Sequence, residues 1–137
     1  MAKRRSPALV ENDPNGFPSE KFVLQRIKDH FEAHGCHCHE QQPVDLICVC
    51  PSDERWHIEA KGVTAQIGLD FRTGLGQLVQ RMRCAETRYG LAFPRTDRFL
   101  KQCRQVAPWV RQRLNLHWLI VSEDGTVTIL APQEPVI

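Results

Sequence analysis

Pro43-Val44-Asp45-Leu46-Ile47-Cys48-Val49-Cys50, then Pro51-Ser52-Asp53-Glu54, then Arg55-Trp56-His57-Ile58-Glu59-Ala60-Lys61-Gly62 is the stretch that decides the reading of this chain. Two apolar runs flank a Pro/Ser/Asp turn, the pattern of an antiparallel hairpin. Alternation from Arg55 to Lys61 puts His57, Glu59 and Lys61 on one face and Trp56, Ile58 and Ala60 on the other. In the preceding run Val44, Leu46, Cys48 and Cys50 share one face, and Asp45, Ile47 and Val49 share the other. Charges set inside strand-like sequence are costly to bury unless something pairs them. A divalent cation held by Asp45 and Glu59, with Lys61 beside it, is the most economical partner.

Whether Asp45 meets Glu59 depends on the turn. Residues paired across the hairpin must have numbers that add to an even total for both acids to face the same side. A loop of Pro51 to Glu54, with Cys50 opposite Arg55, gives an odd total and turns Asp45 away. Convergence therefore requires an odd-length loop or a β-bulge, which re-aims side chains and is common near active sites.

Outward from the hairpin, Ser19 can cap a helix that runs to about His34 and stops at Gly35, with Val23, Leu24, Ile27 and Phe31 as its apolar stripe. Glu20 extends that stripe toward the core edge; it is either a site acid or a first-turn acid that complements the helix dipole. Cys36 to Glu40 reads as a first strand. Gly62 to Phe71 reads as a loop, and Thr73 as the cap of a helix to about Arg88, with Leu75, Leu78, Val79, Met82 and Ala85 facing the core. Gln77, Arg81, Cys84 and Arg88 form a neighbouring stripe. Gln77 either reaches the end of the Glu59-Ala60-Lys61 strand or is a surface glutamine. Gly90 to Phe93 is a short buried strand. A helix from Arg98 to Leu114 is kinked or divided by Pro108. Leu116 to Val121 and Thr126 to Leu130 are strands joined by Glu123-Asp124-Gly125. The order αβββαβαββ predicts a mixed β-sheet flanked by helices. Trp109 and Trp118 are expected in the core.

Taken together, these residues resemble the PD-(D/E)xK nuclease superfamily, which includes restriction endonucleases and Holliday-junction resolvases. Val44-Asp45 stands where that family has Pro-Asp, and Glu59-Ala60-Lys61 matches its second half. Glu20 matches a helical acid of many members, and Gly74-Leu75-Gly76-Gln77-Leu78-Val79-Gln80 resembles the helix whose glutamine borders the site. The resemblance covers roughly Ser19 to Val121. It implies a restriction endonuclease-like α/β fold and a metal-dependent DNA endonuclease. It further implies Mg²⁺, for which Mn²⁺ can substitute, on Asp45, Glu59 and the Ala60 carbonyl, with Glu20 holding a second metal through water. Lys61 would act on the attacking water or the charge at phosphorus, and Gln77 would position water or phosphate. A catalytically inactive DNA-binding module of the same fold is one rival reading.

Composition is compatible. The 137 residues suffice for one domain with its own core, with 25% charged and 42% hydrophobic residues. No apolar run reaches the roughly 20 residues of a membrane span, and no secretory signal is visible after Met1, so a cytoplasmic location is expected. Residues 1–17 read as a flexible basic arm, in which Lys3, Arg4 and Arg5 either touch DNA or are solvated, and residues 18–137 as one domain. The net charge of +2 hides ten Lys/Arg against two acids between Arg72 and Arg113. That basic segment is either a solvated surface or a phosphate-binding one; Arg72, Arg81 and Arg83 are its candidate contacts. A two-stranded substrate would suit a homodimer. The six cysteines are expected to be reduced. Cys36-His37-Cys38-His39 with Cys48-Val49-Cys50 invites a rival reading as a zinc-bound structural protein, although zinc ligands usually come from turns with wider spacing.

Overall fold

The computed structural model describes residues 15–137; Lys3, Arg4 and Arg5 lie outside them. Helix α1 spans Glu20–Ala33, and strands β1 (His37–Gln41), β2 (Val44–Val49) and β3 (Arg55–Ala60) follow. Next come α2 (Ile67–Gln80), β4 (Arg88–Pro94), α3 (Asp97–Arg104), α4 (Pro108–Leu114), β5 (Leu116–Val121) and β6 (Val127–Leu130). The six strands form one mixed sheet in the order β1-β2-β3-β4-β5-β6. β3, β4 and β5 are mutually parallel, while β1, β2 and β6 run antiparallel to their neighbours. Pro108, having no N–H to give, divides the expected long helix into α3 and α4.

Local chemistry explains the element ends. The Ser19 hydroxyl accepts from the Phe22 N–H at 3.1 Å and starts α1, which ends before Gly35 at φ +85°. One buried cluster packs Val23, Ile27 and Phe31 of α1 onto Leu46, Cys48, Trp56, Ile58 and Ala60 of the sheet. A second cluster packs α2 and α3, through Phe71, Leu78, Phe99 and Cys103, onto Leu91, Phe93, Leu116, Trp118 and Ile120. Each large side chain so buried contributes roughly 1.5–3 kcal/mol. β4 and β5, covered on both faces, read as nearly unbroken apolar runs, as interior parallel strands should.

Four expectations are corrected. Helix α2 begins at Ile67, well before Thr73, and ends at Gln80 rather than Arg88. Its start is braced by Asp70, whose carboxylate accepts from the Thr64 N–H at 3.0 Å and the Thr64 hydroxyl at 2.7 Å. Its end is set by the buried Tyr89, whose hydroxyl receives the Arg83 and Cys84 N–H groups and donates to the Cys84 carbonyl, so the chain leaves the helix there. Val79 and Ala85 are consequently exposed, not core. Trp109, in the first turn of the short α4, is 67% exposed. The cysteines of the first hairpin are not free. Cys38 lies opposite Cys48 in the β1–β2 register, which also brings Cys36 to Cys50, and both pairs are bridged as disulfides. Alternation had already put Cys48 and Cys50 on one face; register across two strands supplied their partners. Cys84 and Cys103 are free. Among the described residues no helix is long and apolar enough to cross a membrane.

Candidate functional site at the end of strand β3

The β2–β3 register pairs Leu46 with Ile58, Ile47 with His57 and Val49 with Arg55. The loop is therefore the odd-length Cys50 to Glu54, closed by the Cys50 N–H on the Glu54 carbonyl at 2.8 Å. Ser52 and Asp53 take up the reversal with φ of +67° and +61°. Short polar side chains tolerate that conformation best. Asp45 thus faces the same side as Glu59, and its Oδ2 accepts the Ala60 N–H at 2.8 Å.

Glu59 is 3% exposed. Burial, then the Asp45 charge and a hydrogen bond with Asp45, push its carboxyl up to about 8; Arg81 and Lys61 pull the other way. Burial and a neighbouring carboxylate both disfavour the charged form of an acid, and here they outweigh the two cations beside it. The Arg81 guanidinium donates to Glu59 Oε1 at 2.8 Å, and Lys61 Nζ stands 3.9 Å from Oε2. Arg81 caps the C-terminal end of α2, where a cation also faces the negative end of the helix.

Two glycines let these elements converge. A methyl group on Gly74 would come within 2.8 Å of Lys61 Cγ and 2.9 Å of Leu91 Cδ1, so the bare backbone of α2 gives the lysine stem its passage. A methyl on Gly62 would overlap the backbone of Ser19 and Glu20. This close approach seats the start of α1 beside the end of β3. Glu20 is itself largely exposed, yet partial burial and then Asp45 raise its carboxyl above the usual range, with Lys61 opposing. Among the described residues no three His, Cys, Asp or Glu side chains gather as a metal-holding group. The acids are therefore the pair Asp45 and Glu59, with Glu20 in their field.

Gln77, one turn beyond Gly74, is half-buried, and its Oε1 is buried without a hydrogen-bond partner. A buried acceptor left open is costly, and such groups are normally satisfied by protein or water. The three candidate phosphate-binding arginines part company. Arg81 enters the site. Arg72 is exposed on α2. Arg83 is exposed but folds back, donating to the Gln80 and Met82 carbonyls at 2.7 and 2.9 Å. The basic segment is also less available than its charge suggests. Arg88 pairs with Glu54 at 3.2 Å, and Arg111 is buried, donating to the Leu130, Ala131 and Glu134 carbonyls. His57 packs edge-on against Tyr89 with ring centroids 5.7 Å apart.

Sequence reasoning set Arg81 on the stripe of Gln77 but gave it only a phosphate-binding role. The i+4 spacing to Gln77 was the signal that it turns inward. The passage at Gly74 left no such signal, because nothing local marks which glycine meets a lysine from another element. Comparison with protein-family models, curated proteins and solved structures finds no match to this chain.

Proposed function

We propose that this protein is a divalent-metal-dependent DNA endonuclease of the PD-(D/E)xK type. The observation that carries the reading is half-buried Asp45, held by the Ala60 N–H, facing the same side as buried Glu59, with Lys61 and Arg81 converging on Glu59. The donor set fits a hard cation. Two carboxylates that repel each other when ionised gain most from one, and Mg²⁺ takes oxygen ligands while keeping several waters. Asp45, Glu59 and the Ala60 carbonyl would hold it, with Glu20 acting through water. When bound, Mg²⁺ supplies Lewis-acid polarisation of a phosphoryl oxygen and a more acidic water.

The remaining roles belong to the chain. Lys61, fixed under Gly74, holds its ammonium where it can orient the attacking water or neutralise charge at phosphorus. The open Gln77 Oε1 can accept a hydrogen bond from that water. Arg81 can move from Glu59 to a phosphate oxygen, since its side chain is 26% exposed. The Arg81–Glu59 ion pair is also the observation that favours the rival, a binding module in which the guanidinium permanently neutralises the acid. The zinc reading loses its four cysteine ligands to the two bridges, which leaves it only His37 and His39. The test is a panel of labelled junction, flap, duplex and single-stranded DNAs incubated with Mg²⁺, Mn²⁺ or EDTA. Metal-dependent cutting that is lost in Glu59→Ala supports the nuclease; tight binding without cutting supports the module.

A further inference from the structure

One face of the β1–β3 sheet carries no core. Its cross-strand rows follow from the register: His37, Val49 and Arg55, then His39, Ile47 and His57, then Asp45 beside Glu59. The opposite face of these strands is buried under α1, through Leu46, Cys48, Trp56 and Ile58. Helix α2, on the site's side, lies over β3 and β4. Ile47 and Val49 belong to neither buried cluster and are half-exposed, while His37, His39 and Arg55 are exposed. The face presents imidazoles, β-branched side chains and a guanidinium. Among the described residues of the three strands, Asp45 and Glu59 are the acids on this face; Glu40 turns to the other side, where it shares a cavity with Lys21, Leu24 and Lys28.

We propose that this face is a platform for a single-stranded segment of nucleic acid, whose bases lie on His37, His39, Ile47 and Val49 and whose backbone continues past His57 to the Asp45–Glu59 pair. The direction of the path rests on the nuclease reading above; the binding itself does not. Unpaired bases offer π-faces that stack on aromatic rings, histidine included, and that tolerate any sequence. Bases inside a duplex are not available to such a face. A duplex would instead need rows of Lys and Arg for its two phosphate backbones, and the three rows hold Arg55 alone. His39 and His57 flank Ile47 across two strand spacings, about 10 Å, so one sheet row spans more than one base. The platform ends at the carboxylates, which matches a strand held flat and delivered to a cutting point.

The experiment measures fluorescence anisotropy in EDTA with a labelled single strand of about 12 nucleotides, within the usual site size, and with the blunt duplex of the same sequence. Wild type is compared with His37→Ala/His39→Ala and with His39→Trp, both positions being exposed. Thermal melting checks that each variant folds. The expected result is preference for the single strand, a loss of about 10-fold or more in the double alanine variant, from two stacking contacts, and a gain with His39→Trp. Duplex affinity should stay unchanged. Equal affinity for both nucleic acids, or single-strand affinity unmoved in both variants, overturns the platform. So does a concentration-dependent dimer dissolved by the same substitutions in sedimentation, which would make a second copy the occupant. Histidine-dependent binding without cutting under any metal would leave the platform and remove the nuclease. Metal-dependent cutting with histidine-independent binding would do the reverse.

Discussion

In the metal-free protein Glu59 should make stability fall as pH rises, and Glu59→Gln should remove that fall. Glu59 is raised from an ordinary 4.5 to about 8 by burial and by Asp45. Between those values the folded chain holds a proton that the unfolded chain has released. The native state therefore binds more protons, and the stability slope against pH is negative, near 1.4 kcal/mol per pH unit. The penalty is absent below pH 4.5 and complete above pH 8, with a ceiling of about 5 kcal/mol. This is a large part of the roughly 5–15 kcal/mol that holds a domain together. The informative window lies above pH 6.5. His30, His57 and His117, lowered by burial, are still about half protonated in the unfolded chain at pH 6.5 and add stability as pH rises, but they do so in both proteins and cancel in the difference. From pH 6.5 to 8 wild type should lose about 2 kcal/mol relative to Glu59→Gln, whose side chain is neutral throughout. Urea unfolding in EDTA at pH 6.5, 7.25, 8 and 9 reads this directly. Added Mg²⁺ should flatten the wild-type profile if the carboxylates bind it in the ionised form. A difference between wild type and Glu59→Gln that stays constant across that window, or moves in favour of wild type as pH rises, would refute the raised carboxyl of Glu59.

Asp45→Ala, Glu59→Ala and Lys61→Ala should each lower single-turnover cleavage by about 10²-fold or more while leaving the fold and much of the DNA affinity intact; full activity in any of them rejects that residue's role. Gly74→Ala forces a methyl against Lys61 and Leu91, and overpacking of this kind costs about 1–3 kcal/mol. Its melting temperature should fall despite alanine's better helix propensity, and activity measured well below that temperature should fall with it. Arg72→Ala and Arg83→Ala separate solvated arginines from phosphate contacts. In a salt titration of DNA affinity, a true contact lowers the slope by about one and a solvated arginine leaves it unchanged. Unfolded without reductant, the chain should release the thiols of Cys84 and Cys103 alone to a thiol reagent, and the other four only after reduction.

Most of the architecture was legible because it rests on short-range pattern. Ser19 and Gly35 bound α1, the alternation of Arg55 to Lys61 defined β3 and its faces, and Pro108 divided the last helical region. α2 was misplaced because its start depends on Asp70 reaching back to Thr64 and its end on Tyr89 from the next strand, neither visible as a local cap. Trp109 misled because bulk was read as burial; a two-turn helix at the edge has little core to offer.

The amino-acid sequence by itself determined which side chains carry the candidate chemistry and which face of β3 presents Glu59 and Lys61, since side-chain direction along a strand alternates by covalent geometry. It also stated the condition for Asp45 to join them, an odd-length loop, without being able to meet it. Only the tertiary structure decided that condition. The left-handed residues Ser52 and Asp53 close a loop from Cys50 to Glu54, and register moves in whole residues, so one residue fewer would have sent Asp45 to the other face. The same holds for Arg81 on Glu59 and for Lys61 beneath Gly74. These contacts join elements 13 to 22 residues apart, and their geometry comes from how helix and sheet pack, a property no single stretch of sequence contains.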